Sequence, residues 1–248
     1  MTHGSGLDSD YVAELDFWQD YIAKNGARVS DPHCWENAFP ADLRRWVEVV
    51  SGGRGQLEVL ELGSGPVSLL AWGVEERLFH LTAVDPLADE YARLMAGCSY
   101  PVKPMMGFGE QLSRLFPPSS FDLAYSSNAL DHTRNPRECM KQLAMMVKDG
   151  GLLYCEGFLR EGTNAEWEGL HQHDLVPEDG HLVAYDRKGQ RIVVTEALGL
   201  ECLQQEVEPL VTRGLTSHGY EWNEQEARDW RYDDWFTLVW RLRRGSNG

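Results

Sequence analysis

Positive charge is scarce in this sequence. Among 248 residues, Lys and Arg number 23 against 39 Asp and Glu, a formal net charge of −16. Nucleic-acid binders carry a basic face to neutralise phosphates, so a polyanionic partner is disfavoured. Arg241, Arg243 and Arg244 form one short basic cluster, which reads as a solvated strand edge. Long apolar runs are also missing. None approaches the roughly 18–20 residues needed to cross a bilayer, so no membrane partner is expected. The polar, acidic start, Met1 to Asp10, has neither a charged n-region nor an apolar h-region, and no signal peptide is expected. Cysteine is sparse. The five, Cys34, Cys98, Cys139, Cys155 and Cys202, are odd in number and have no CxxC spacing. That fits reduced structural thiols in a cytoplasmic protein. There is no internal repeat and no low-complexity tract.

What is present is organised around Val59-Leu60-Glu61-Leu62-Gly63-Ser64-Gly65-Pro66-Val67-Ser68. Leu57 to Leu62 is short and mostly apolar, as a buried parallel strand should be. Gly63 and Gly65 let a ligand approach the main chain. Pro66 suits the first position of a helix, whose free N–H groups and positive dipole end would face the turn. The segment reads as strand, tight turn, helix, a cradle for a small molecule.

With 42% hydrophobic content, the chain can bury the core of one decorated domain. Helical periodicity predicts a helix over 10–23, stopped by Asn25-Gly26, and a second over 42–50. Between them Asp31 to Asn37 is an aromatic and polar connection. Strands are expected at 79–84, 102–106, 121–125 and 152–157, alternating with helical patterns at 87–95, 109–116 and 135–147. That alternation implies right-handed βαβ units and a parallel sheet. Residues 160–189 read as an irregular insertion with short strands, and 190–198 as a helix. Two final strands, 200–207 and 235–242, lack a crossover helix pattern and should form an antiparallel pair at the sheet edge. The segment between them is polar, with Trp222 and Trp230.

No Gly-Lys-Ser/Thr follows the cradle, which excludes a P-loop. A nicotinamide fingerprint needs a third glycine where Ser68 stands. Asp85 ends the next strand about 20 residues on, where an acid can accept hydrogen bonds from a ribose diol. Together these features point to an adenosine-containing ligand without an essential pyrophosphate.

An ordered set of motifs over roughly residues 55–158 resembles the class I S-adenosylmethionine-dependent methyltransferases. Glu61-Leu62-Gly63-Ser64-Gly65 is similar to the family's acidic-x-Gly-x-Gly turn, and Asp85 to its ribose-binding acid, with Pro86 and Leu87 beside the adenine. Gly107-Phe108-Gly109-Glu110-Gln111-Leu112 resembles the adenine-lining stretch. Phe121 to His132, with Ser126 and Asn128, resembles the fourth-strand block, which Asn135-Pro136 and Lys148-Asp149-Gly150-Gly151 complete. Val67 stands where a third glycine is common, and Phe108 where many relatives have an acid. The resemblance implies an α/β, three-layer Rossmann-like fold with a seven-stranded, mostly parallel sheet and an antiparallel last strand. It implies S-adenosyl-L-methionine as cofactor and in-line methyl transfer. Residues 1–53 would be a helical lid and 54–248 the methyltransferase domain, with a substrate-facing insertion at 159–189.

His132 follows the fourth strand at the carboxyl edge, where ligands bind in open α/β sheets, and is the leading candidate for a general base. His171 is the second catalytic candidate. The spacing His171-Gln172-His173-Asp174 is not a specific metal signature, and no metal is expected. Tyr11, Trp18, Trp35 and Trp167 are candidate pocket walls. The expected acceptor is a small molecule or a short peptide or glycan, and the expected state a monomer or homodimer. The alternative is a non-catalytic Rossmann-like cofactor-binding or regulatory module, which turnover would discriminate.

Overall fold

The computed structural model describes residues 9–53, 55–209, 216–217, 220–221 and 234–244. The polar segment with Trp222 and Trp230 lies largely outside them, and those two residues lie wholly outside.

The chain opens with three helices, α1 (Ser9–Val29), α2 (Pro32–Ala38) and α3 (Ala41–Ser51). Then come β1 (Leu57–Leu62), α4 (Ala71–Glu75), β2 (Phe79–Asp85), α5 (Ala88–Leu94) and β3 (Met105–Met106). A 3-10 helix at Gly109–Arg114 leads to β4 (Phe121–Ser127), α6 (Pro136–Met146) and β5 (Val147–Phe158). Between β5 and the next sheet strand lie α7 (Glu161–Asn164), β6 (Asp174–Glu178) and β7 (His181–Tyr185) of the insertion, and β8 (Arg191–Val193) just beyond its expected end. β9 (Leu200–Pro209), β10 (Thr216–Ser217), β11 (Tyr220–Glu221) and β12 (Asp234–Leu242) finish the chain.

Seven strands form one sheet in the order β3-β2-β1-β4-β5-β12-β9. β1 pairs in parallel with β2 and β4, β2 with β3, and β4 with β5. β12 runs antiparallel to both β5 and β9, so it alone is reversed. The strand order reverses beside β1, between its pairings with β2 and β4. In such sheets that point opens a crevice at the strands' carboxyl ends.

Apolar layers cover both faces. α6 packs Cys139, Met140 and Leu143 with Leu60, Leu62 and Phe236 on one side. On the other, α3 packs Leu43, Trp46 and Val47 with Leu57, Val59 and Val239. Trp46 Nε1 donates to Gln204 Oε1 at 2.7 Å, which fixes α3 to the far edge strand β9. Cys139 and Cys155 lie inside this core, where burial pushes both thiols well above their ordinary range. They are inert packing groups.

Several local expectations are corrected. Pro66 does not open a helix; α4 begins only at Ala71. Side chains satisfy the backbone between them instead: Leu70 N donates to Ser68 Oγ at 3.0 Å and Tyr100 Oη donates to the Ser68 carbonyl at 2.6 Å. A five-residue helix cannot supply the dipole expected at the turn. Asp31 to Asn37 is not a connection but mostly helix α2, with Asp31 capping the His33 N–H and Pro32 at the first turn. α1 runs past Asn25-Gly26 to Val29, whose carbonyl accepts from Trp35 Nε1. Of 102–106, only Met105–Met106 is strand, since Pro104 has no N–H for the ladder. The expected helix at 190–198 is the strand β8 and turns. Asp186 Oδ1 accepts from both Lys188 N and Gln190 N, closing the hairpin from β7.

Candidate active site

The cleft lies over the carboxyl ends of β1, β2 and β4, with a volume of about 440 Å³. Sites for drug-sized ligands span roughly 300–1,000 Å³. At its centre Gly63 and Gly65 hold left-handed angles, φ 72° and 57°. A Cβ on Gly63 would stand 2.2 Å from Ala129 Cβ, and one on Gly65 would stand 3.1 Å from the Trp18 ring. The turn is therefore wedged between the segment after β4 and the first helix. Its free side faces the cleft through Gly63, Ser64 and Gly65.

Asp85 ties β2 to this turn. Its Oδ2 accepts from Gly65 N at 3.0 Å and its Oδ1 from Leu87 N at 2.9 Å. It lines the cleft with Pro86 and Leu87. Burial pushes its carboxyl up to about 7, against the two backbone N–H bonds that favour the charged form. Phe108, Gly109 and Glu110 line the neighbouring wall, and Glu110 Oε1 accepts from Asn135 N. Gly109 packs close under that wall: a Cβ there would stand 2.8 Å from Cys139 Sγ.

Glu61 and Ser126 do not reach the cleft wall. Glu61 is buried beneath the turn, accepting from Ser68 Oγ at 2.6 Å. Ser126 donates to the Leu62 carbonyl at 3.1 Å and so joins β4 to β1; its neighbour Ser127 lines the cleft. Burial raises the Glu61 carboxyl to about 8, with Ser68 opposing and Asp85 adding to the rise. An acid held above its unfolded value stabilises the fold most when protonated. That contribution is full below about pH 4 and is lost as pH rises through about 7–8. Thermal melts of the ligand-free protein should therefore fall between pH 5 and pH 8. Glu61→Gln should recover about 2 kcal/mol at pH 8 and flatten the slope. An unchanged slope in the variant would refute the assignment.

His132 lines the opposite end of the cleft, after β4. Its Nε2 lies 3.1 Å from His171 Nδ1 and 3.3 Å from Asp131 Oδ2. His171 Nδ1 in turn lies 3.1 Å from Asp131 Oδ2, and the two rings meet edge-on. Asp131 raises the His171 imidazole above its ordinary value, against the opposing effect of burial. The same contacts hold Asp131 below the ordinary carboxylate range, with His132 the strongest, despite its burial. Asn128 takes a left-handed φ of 48° and bridges elements: its Nδ2 donates to Glu161 Oε1 and its Oδ1 accepts from Phe158 N.

The spacing His171-x-His173-Asp174 does not form one cluster. His173 Nε2 lies 3.1 Å from the Thr133 carbonyl, and Asp174 accepts from Thr163 through N and Oγ1. The insertion loop between α7 and β6 is not a flat strand there, so alternate residues do not share a face. Of the four aromatics, Tyr11 and Trp18 line the cleft. Trp35 is buried against Tyr100, and Trp167 packs on Gly162. Sequence reasoning passed over Glu14 and Arg134 on the wall, and Asp131 and Glu161 beside the histidines. Adjacency to His132 was a usable signal for Asp131; Glu161 had none.

The profile of a family described as "Methyltransferase domain" matches residues 20–205, three quarters of the chain, including every residue of the cleft wall except Tyr11, Glu14 and Trp18. The chain belongs to that family. It is a class I S-adenosylmethionine-dependent methyltransferase. No curated protein matches the sequence. Among solved structures, it is similar to a chain in the complex of the Haloferax volcanii Trm112 methyltransferase activator with a candidate methyltransferase. That pair is 15% identical over 95% of this chain and 99% of the other, with a TM-score of 0.56. A candidate methyltransferase from Bacillus halodurans is 14% identical over 83% of this chain and all of its own, with a TM-score of 0.50. At such identities the likeness is one of fold.

The methyltransferase's cofactor is S-adenosylmethionine, and the cleft suits it. Gly63 and Gly65 bring backbone without side chains to the wall, a buried acid stands at the end of β2, and Glu14, Asp85 and Glu110 on the wall outnumber Arg134. That charge balance favours a ligand with cationic groups. Among the described residues, no helix is long and apolar enough to cross a membrane.

Proposed function

We propose that this methyltransferase acts on a small-molecule acceptor, or a short peptide or glycan, through an O–H or N–H group, with His132 taking the proton. The observation behind this reading is that His132 shares one cleft with Asp85 and the Gly63–Gly65 turn and is backed by His171 and Asp131. S-adenosylmethionine, when bound, supplies a methyl group on a positively charged sulfur. Asp85 receives the ribose hydroxyls. Backbone groups of Gly63, Ser64 and Gly65 hold the methionine end. Pro86, Phe108, Gly109 and Glu110 border the adenine, with Phe108 offering its ring. Glu61 and Ser126 support these contacts from below, and Asn128 borders the acceptor side.

His132 accepts the acceptor's proton at its other ring nitrogen, Nδ1, while Asp131 and His171 hold Nε2 and orient the ring as positioning residues. Within the N-terminal piece, residues 1–53, α1 acts as the lid. Tyr11, Glu14 and Trp18 project from it onto the cleft, where they exclude water. The insertion, residues 159–189, supplies the far wall through Leu170. The acid-rich cleft suits neither a nucleic acid nor an anionic membrane surface. The same reading makes the protein a cytoplasmic monomer or homodimer.

Incubation with methyl-labelled S-adenosylmethionine and a fractionated metabolite extract tests this. Label should enter a small-molecule fraction and not added RNA or DNA. Cofactor binding with no labelled product in any fraction would support the non-catalytic alternative instead.

A further inference from the structure

Asp131, His132, Glu161 and His171 each bring one donor atom into a group spanning no more than 4.8 Å. Three of the four form a tighter triangle. His132 Nε2 and His171 Nδ1 are 3.1 Å apart, and Asp131 Oδ2 lies 3.3 Å from the first and 3.1 Å from the second. Hydrogen bonds cannot satisfy all three edges. A carboxylate only accepts, and each ring nitrogen has one hydrogen or one lone pair in the ring plane. If both nitrogens carry hydrogens, two donors face each other. If one does, the other's lone pair faces the carboxylate oxygen. One edge is always mismatched. A cation at the centre would take a lone pair from every corner.

The spacing suits that arrangement. At metal–ligand distances of about 2.0–2.1 Å, tetrahedral ligands stand about 3.3 Å apart and adjacent octahedral ones about 2.9 Å. The observed edges fall between these values.

Glu161 is the independent observation. It is 4% exposed, its Oε1 lies 3.7 Å from His171 Nδ1, and its Oε2 is buried without a hydrogen-bond partner. Among the described residues, the ion pairs of Asp131 and Glu161 are with the two imidazoles and none is with Lys or Arg. Two buried carboxyl groups side by side are costly unless a shared proton or a cation offsets their repulsion. Three parts of the fold build the cluster: the turn after β4, the start of α7, and the loop before β6. Gln172 N donates to the Asp131 carbonyl and closes that loop onto the turn.

We propose that Asp131, His132, Glu161 and His171 bind a first-row divalent transition-metal cation beside the His132 end of the cleft. Two imidazoles with two carboxylates suit zinc, iron, cobalt or manganese better than magnesium or calcium. His132 lines the cleft, so a further coordination position there takes an oxygen of the acceptor; this part rests on the acceptor reading above. The proton-accepting role of His132 then belongs to the metal-free form. In the loaded form Nε2 binds the cation and Nδ1 carries the ring hydrogen, so the cation makes the bound oxygen more acidic and its proton leaves to solvent water.

Metal-free full-length protein should be titrated with Zn²⁺ by calorimetry and with Co²⁺ by visible absorption, beside a titration with S-adenosylmethionine. One Zn²⁺ per chain should bind at micromolar or tighter affinity, and Co²⁺ should give ligand-field bands distinct from the aqueous ion. His171→Ala and Glu161→Gln should each weaken Zn²⁺ binding by roughly a hundredfold, at or above the cost of losing an outer-shell partner. His80→Ala, at an exposed strand position, should not change it. Wild-type protein that binds S-adenosylmethionine but neither metal overturns the cation site and leaves the methyl-transfer reading intact. Equal Zn²⁺ affinity in wild type, His171→Ala and Glu161→Gln also overturns it. Uptake of Zn²⁺ without the cofactor supports the site and refutes the cofactor assignment.

Discussion

His132→Ala should lower kcat by about 10²- to 10⁴-fold, the range for losing a positioned proton acceptor. S-adenosylmethionine affinity should change little, because the contacts proposed for the cofactor lie at the Asp85 and Gly63–Gly65 end of the cleft. The split matters. Loss of an interaction made only in the transition state lowers kcat and kcat/KM together. Loss of plain packing in the wall would raise KM and spare kcat. Asp131→Asn should follow His132→Ala in direction with a smaller loss, since Asp131 acts through the rings it holds at 3.3 and 3.1 Å. Single-turnover rates beside equilibrium cofactor binding would separate these cases. A His132→Ala enzyme with wild-type kcat would remove His132 from the chemistry.

Gly63→Ala should be a severely damaging small substitution. Its Cβ would overlap Ala129 Cβ at 2.2 Å at a φ of 72°. The left-handed angle alone costs roughly 1–2 kcal/mol for a residue with a Cβ. The overlap must be relieved by moving the turn, which is also held by Gly63 N donating to the Val84 carbonyl at 2.8 Å. Overpacking of this kind costs roughly another 1–3 kcal/mol. Cofactor affinity should fall at least tenfold, because the turn that moves is the proposed cradle. Gly150→Ala is the control: it has a similar φ of 75° but nothing within 4 Å, so only the backbone cost applies. Adding Ala129→Gly to Gly63→Ala should return part of the loss, as contacting residues couple in a double-mutant cycle. If Gly63→Ala and Gly150→Ala lose equal stability, the close approach is not what selects glycine at position 63.

These two sites differ in how far the sequence revealed them. The turn was legible because strand, glycines and the next strand's acid are local signals in a fixed order. The parallel sheet followed from the same alternation, and an antiparallel last strand paired with its predecessor was expected; the place of β12 between β5 and β9 was not. The stretch between Gly65 and Ala71 was not legible. Helix or turn there depends on Ser68 bonding to Glu61 and Tyr100, and the latter is 32 residues away. The helix expected at 190–198 failed for a related reason. Its apolar spacing fits a helix, but the Asp186 turn commits Ile192 and Val193 to pair with β7. The histidine cluster was half legible. His132 and His171 each stood out by residue type, yet their contact joins positions 39 apart. Glu161 enters only because α7 folds back beneath the turn after β4, which no local pattern announces.

The central assignment places S-adenosylmethionine across Gly63, Gly65 and Asp85. Calorimetric titration of the cofactor into wild type and Asp85→Ala, with both checked as folded by circular dichroism, tests it most directly. One saturable site per chain is predicted in the wild type. Asp85→Ala should weaken it by about 30-fold, the equivalent of about 2 kcal/mol for hydrogen bonds to a charged group. No saturable heat from folded wild-type protein, or an affinity indifferent to Asp85→Ala, would contradict it.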